Sequence, residues 1–180
     1  MCSSDLRVIH LTDKLEARGQ SMLNMGGYNG QTVAGALCTG THGSGIGIPA
    51  LYGVIASIWL VVLGGDGQPE LRIVEPSEGL TDPAALPLLE EGDLPVRIIR
   101  DDAVFSTVCV GMGWMGVVYA MTLRVAPRYW LHQVRRLQPL HSVLPLLNSL
   151  VHQHRCCELD RKSTRLNSSH SSVSRMPSSA

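Results

Sequence analysis

Aromatic residues are scarce in this 180-residue sequence, at 4% with a single Phe, so any core must be built from Val, Leu, Ile and Ala. An excess of charge is also missing. Lys plus Arg number 15 against 15 Asp plus Glu, which removes the bulk electrostatic case for binding nucleic acid or an anionic membrane. Long apolar runs are lacking too. The most apolar stretch, residues 54–63, falls far below the ~18 residues of a membrane-spanning helix, so no span is expected. The first 20 residues carry no apolar core of the signal-peptide kind, and five irregularly spaced cysteines make no disulfide framework. The expected compartment is therefore reducing and cytoplasmic. What remains, 44% apolar and 17% charged, describes one globular domain at ~100–200 residues per domain.

Composition changes abruptly at Asp160. Residues 160–180 hold 8 Ser and show neither helical nor strand period, which on physical grounds reads as a disordered tail. Residues 160–170 (DRKSTRLNSSH) resemble one reading frame of a common sequencing adaptor, and 174–180 (SRMPSSA) resemble its next constant part. Residues 2–6 (CSSDL) resemble the reverse complement. The expectation is that 1–6 and 160–180 are adaptor-derived and that the rest is a gene fragment.

Within that rest, residues 8–18 show a rough helical face closed by Gly19. Residues 22–25 read as a short strand before Gly26-Gly27, and 31–37 as a small apolar stretch leading into a glycine-rich loop. Residues 54–63 and 71–74 are β-rich runs around Gly64-Gly65-Asp66-Gly67, a hairpin signal with a loop longer than two residues. Four prolines (Pro76, Pro83, Pro87, Pro95) mark 76–95 as an irregular surface excursion. Asp101-Asp102 open a helix running to about Val110, where carboxylates suit the positive end of the dipole. A second glycine loop, 111–116, leads to a strand over 117–125. Residues 129–137 predict another strand and 141–152 a helix. Regular βαβ alternation is missing, which favours an α+β fold.

Three motifs bear on chemistry. Residues 111–116 match G-x-G-x-x-G, but a dinucleotide fingerprint needs a strand entering and a helix leaving, and here the order is inverted. The bland reading is a helix-to-strand turn. His152, His154, Cys156 and Cys157 offer zinc-ligand types, yet their spacing fits no common module and reads as a solvated helix end, so no metal site is assigned. Residues 39–45 (TGTHGSG) combine side-chain donors with unhindered backbone N–H groups. Spacing alone leaves two readings open, an anion-cradling nest or a turn bearing a surface histidine.

The stretch Asn24-Met-Gly-Gly-Tyr-Asn-Gly-Gln-Thr-Val-Ala-Gly-Ala-Leu-Cys-Thr-Gly-Thr-His-Gly-Ser-Gly45 resembles the FAD-binding core of the vanillyl-alcohol-oxidase superfamily, in its sugar-lactone and alditol oxidase branch. A second element resembles the same branch: Asp102 and Phe105, then Gly113-Trp-Met-Gly-Val-Val118, then Met121-Thr-Leu-Arg-Val125. The resemblance implies that residues 7–140 form an incomplete PCMH-type FAD-binding domain, mostly its second subdomain, with 141–159 starting the next region. It implies FAD as cofactor and Gly35, Thr39, Gly40, Thr41, His42, Gly43 and Ser44 as its contacts, with Val117 and Val118 touching it through backbone. It also implies an oxidoreductase taking hydride from the CH–OH group of a small-molecule sugar lactone, alditol or related alcohol, with catalytic residues outside this stretch. The alternatives are a non-catalytic flavin-fold fragment or a small β-rich interaction domain whose glycine loops are only turns.

Overall fold

A hairpin forms the centre of the molecule in the computed structural model, which describes residues 6–84 and 94–159. Strand β2 (Ile55–Leu63) turns through Gly64 to Gln68 and returns as β3 (Pro69–Glu75), in antiparallel register from Leu63 opposite Pro69 to Ile58 opposite Val74. The turn is closed by Gly64 N–H donating to the Gln68 carbonyl at 2.7 Å, with Gly67 at φ +76°. β-branched content selects strand here.

The sheet is mixed, in the order β4-β3-β2-β5. β4 (Val96–Arg100) runs parallel to β3, while β5 (Val117–Leu123) runs antiparallel to β2 and carries register shifts between Ile55 and Ser57 and between Trp59 and Leu60. β2 is thus an interior strand, and the first half of it is buried on both faces.

Helices α1 (Val8–Glu16), α2 (Val33–Cys38) and α3 (Asp102–Cys109) share one core with this sheet. Val8, Leu15, Leu37, Val108 and Cys109 meet Ile58, Leu60 and Val74 there. At roughly 1.5–3 kcal/mol for each large side chain removed from water, this cluster is the main stabilising contribution. Leu6, on the margin of the expected adaptor segment, packs against the same cluster and its carbonyl accepts from Val33 N–H at 2.7 Å.

Two strand expectations are corrected. Residues 22–25 belong to no strand; the strand is β1 (Gln20–Ser21), matched to β6 (Ala126–Pro127). The Met22 and Leu23 carbonyls are instead taken by side chains, Tyr129 Oη at 2.9 Å and Arg155 Nη2 at 2.7 Å respectively. Residues 129–137 form no strand, because β1 is two residues long and offers nothing to pair with beyond Pro127. The helix expected over 141–152 is present in pieces: α4 (Leu140–Val143), a 3₁₀ turn (Leu144–Leu146) containing Pro145, and α5 (Leu147–Gln153). The expected surface excursion is irregular through Ala84, and its residues 85–93 lie outside the described residues, as do 1–5 and 160–180 of the expected adaptor segments. Among the described residues no helix is long and apolar enough to cross a membrane.

Candidate functional site

The first glycine loop begins where α2 ends. Thr32 caps α2, its Oγ1 accepting from Gly35 N–H at 3.1 Å. Gly35 is therefore helical, with its amide engaged by the cap and its carbonyl accepting from Thr39 Oγ1 at 2.8 Å. The chain leaves the helix through Gly40 at φ +72°, a conformation that strains any residue with a Cβ. Thr41 is anchored on both sides, its N–H donating to Ala36 and its carbonyl accepting from Leu51 at 2.8 Å.

Beyond Thr41 the backbone is open. His42 is exposed, its Nδ1 lying 3.0 Å from the Gly43 carbonyl, and Ser44 is half-buried. Among the described residues no acceptor meets the amides of His42, Gly43 and Ser44. Among the described residues the amides of Gly45, Ile46 and Gly47 likewise meet no acceptor, and donors without an acceptor in the chain are left to water or to a bound anion.

The second glycine loop lies against the first. Met112 N–H donates to the Cys38 carbonyl at 3.2 Å, and the Val110 side chain sits beside Gly40. α3 enters this loop and β5 leaves it, the inverted order that excludes a dinucleotide fingerprint. Asp101 caps α3 through a 2.8 Å bond from Val104 N–H. Asp102, in the first turn, accepts from the Ser77 amide (2.9 Å) and hydroxyl (2.8 Å), which hold its carboxyl below the usual range. Met112 sits at φ 51°, the one non-glycine residue with positive φ among those described. Such strain persists where the surroundings impose it, often beside a ligand.

Trp114, Met112 and Val117 are 89%, 69% and 70% exposed, a concentration of apolar surface on one loop and the strand that follows it. Val117 stands opposite Val61 in the ladder and Val118 opposite Leu60, Val118 half-buried toward the core. β5 is an edge strand, so the outer side of its backbone is unpaired by any strand among the described residues. Two cysteines close the junction from beneath. Burial, and then the neighbouring Cys38, push the Cys109 thiol up to about 11, and burial raises that of Cys38. Both are poor nucleophiles as a result.

The structure thus holds Thr39, Gly40, Thr41, His42, Gly43 and Ser44 on one loop, which the second glycine segment meets through Val110 and Met112; Val117 and Val118 pair with Val61 and Leu60, toward the end of β2 away from Leu51, the partner of Thr41. Gly35 stands apart, one turn up α2 with its backbone engaged. His152 lies in the last turn of α5 and His154 is its C-cap. Sequence reasoning placed Asn24 at the head of the resembling stretch but gave it no role; it is only 5% exposed and joins Met25 to Pro49 at the end of the first loop. Its signal was a lone amide between Leu23 and Met25, just before Gly26-Gly27.

No family model matches the chain. It is 26% identical over 139 residues to a D-arabinono-1,4-lactone oxidase of Yarrowia lipolytica, covering 77% of this chain and 22% of that protein. It is 29% identical over 124 residues to a putative D-arabinono-1,4-lactone oxidase of Neurospora crassa, covering 69% and 18%. It is 27% identical over 141 residues to an L-gulono-1,4-lactone dehydrogenase of Mycobacterium tuberculosis, covering 78% and 26%. These likenesses support the sugar-lactone oxidase branch of the FAD-linked oxidases and an oxidoreductase parent. The chain spans about a quarter or less of the length of the curated relatives it matches.

Proposed function

We propose that this chain is part of the flavin-binding domain, of PCMH type, of an FAD-dependent oxidoreductase acting on the CH–OH groups of sugar lactones, alditols or related alcohols. The observation that carries the reading is the contact of the two glycine loops, Met112 N–H on the Cys38 carbonyl and Val110 beside Gly40, together with the amides of His42, Gly43 and Ser44, which meet no acceptor among the described residues. A diphosphate needs several N–H donors and a flavin or adenine ring needs apolar surface; amides without an acceptor in the chain and the exposed Met112, Trp114 and Val117 support the reading.

FAD, when bound, supplies the acceptor for hydride from the substrate carbon, and the protein supplies position and electrostatics. Thr41 and Ser44 add hydroxyl donors to the amides of the loop, while Thr39, its hydroxyl donated to the Gly35 carbonyl, contributes through its backbone. Gly40 and Gly43 let the backbone come close to the cofactor. His42, exposed at the rim, presents its Nε2 outward while Nδ1 is held by the Gly43 carbonyl. Val117 and Val118 offer backbone groups along the outer edge of β5. Gly35 contributes through the geometry of α2, since its own amide is taken by Thr32.

The test is FAD titration into the protein expressed from its native locus. Yellow protein with stoichiometric FAD is the expected result. His42→Ala and Ser44→Ala should each weaken FAD by about three- to tenfold, the value of one hydrogen bond at ~0.5–1.5 kcal/mol. A native protein that binds no flavin, or one whose affinity is unmoved by both substitutions, would defeat the assignment.

A further inference from the structure

The amide side chain of Asn24 is buried, a costly position for a group with two donors and an acceptor unless each finds a partner. Its partners belong to separate segments. Oδ1 accepts from Met25 N–H at 2.9 Å, and Nδ2 donates to the Pro49 carbonyl at 3.0 Å. Pro49 follows residues 39–48, so this side chain ties the C-terminal end of the glycine loop to residues 24–25.

Gly43 rests directly on that bridge. A Cβ at Gly43 would collide with Asn24 Oδ1 and stand 2.6 Å from the Met25 carbonyl. Gly26, on the same floor, is packed as tightly, since a Cβ there would come within 2.8 Å of Thr41 Cγ2. The loop therefore packs closely on residues 24–26, with Gly43 against Asn24.

We propose that Asn24 is the positioning residue of this anion cradle: by tying Met25 to Pro49 beneath Gly43, it fixes the direction in which the amides of His42, Gly43 and Ser44 point toward a diphosphate. The inference rests on the flavin reading above and adds to it a residue that touches no ligand. Without the Asn24 amide the Pro49 carbonyl and Met25 N–H lose their common partner, and the loop gains room to turn its N–H groups inward. Preorganised donors bind an anion well because no reorganisation is spent at the moment of binding.

The experiment uses the native-locus protein, with FAD and inorganic pyrophosphate as probes, and the variants Asn24→Ala, Gly43→Ala and the double variant. Asn24→Ala should weaken FAD at least tenfold and abolish the rise in melting temperature that pyrophosphate gives the wild type. Gly43→Ala, pressing on the same contact from the loop side, should do likewise. The double variant should lose no more than Gly43→Ala alone, because the two changes break one contact. That non-additivity separates positioning from general weakening of the fold, which adds. Wild-type protein that fails to bind FAD sinks the flavin reading itself. Wild-type binding together with Asn24→Ala within twofold of it, or with additive losses, overturns the role of Asn24. If Asn24→Ala does not fold, an unchanged FAD affinity in Gly43→Ala overturns it as well.

Discussion

Glu75 is a carboxylate with no solvent exposure at the C-terminal end of β3, and its environment decides its charge. Burial pushes its pKa up. Hydrogen bonds from the Thr81 hydroxyl (2.5 Å), the Leu80 amide (2.9 Å) and the Thr81 amide (3.0 Å) outweigh that and hold it below the ordinary range. The Ser57 hydroxyl assists from nearby without forming a hydrogen bond of ordinary geometry. Arg100 Nε lies 3.6 Å away, and Arg100 Nη2 donates to the Thr81 carbonyl. Because the folded state lowers this pKa, the stabilisation is fully present above the unfolded value of ~4.3 and fades as pH falls through the folded value. Glu75→Gln keeps the shape but removes the charge and turns one acceptor into a donor facing N–H groups. It should cost about 1–3 kcal/mol at neutral pH, and the gap from wild type should narrow on acidification. Denaturant melts at pH 7 and pH 3 check this; a gap that widens toward acid contradicts it. None of this was legible in the sequence, where Glu75 is one acid before a proline. The glycine loop was legible, since glycine and threonine at those spacings announce open backbone. Asn24 was not, because only the fold reveals that its amide meets Pro49, 25 positions away.

At the scale of elements, the readable ones carried local signals of their own. β2 and β3 declared themselves by β-branched runs about a glycine turn, and α3 by Asp101 at its start. Others owed their state to tertiary contacts. α2 is six residues long with a glycine inside, too short for a 3.6-residue period to show, and is fixed by the Thr32 cap and by burial of Ala36 and Leu37. β4 is five residues with Arg at two of them, and it exists because β3 offers a parallel edge from Leu71 to Glu75. The difference predicts where local changes matter. Asp101→Ala removes the side-chain acceptor of Val104 N–H and should cost about 0.5–2 kcal/mol. Ile58→Ala, at a fully buried position in β2, should cost about 2–5 kcal/mol. Chemical denaturation of both variants ranks them; a cap loss exceeding the core loss would mean that α3, not the sheet, holds the domain together.

At the scale of the whole molecule, residues 128–159 behave differently from the rest. Val143 is the only residue among them that is fully buried, whereas the sheet and α1–α3 contribute nearly all of the core. The segment is held by polar contacts made over long sequence separations. Arg128 N–H donates to the Gly19 carbonyl at 2.8 Å, Tyr129 reaches the Met22 and Leu23 carbonyls, and Arg155 donates to Leu23 while its guanidinium lies 4.6 Å from the Tyr129 ring centroid. The Arg155 carbonyl also closes on Gly45, where a Cβ would stand 2.7 Å from it. A segment tied to the rest chiefly by a few hydrogen bonds, with its cation–π contacts internal to it, should open on its own, well below the free energy of global unfolding. Arg155→Ala removes both the Leu23 bond and the stacking on Tyr129, so α5 should lose most of its amide protection. β2 and β3 should keep theirs, because nothing in their ladder depends on this residue. Hydrogen exchange resolved by segment distinguishes the outcomes. Equal losses of protection in α5 and in β2 would show that the strap and the sheet unfold as one unit, and that the C-terminal segment contributes to global stability despite its meagre buried surface.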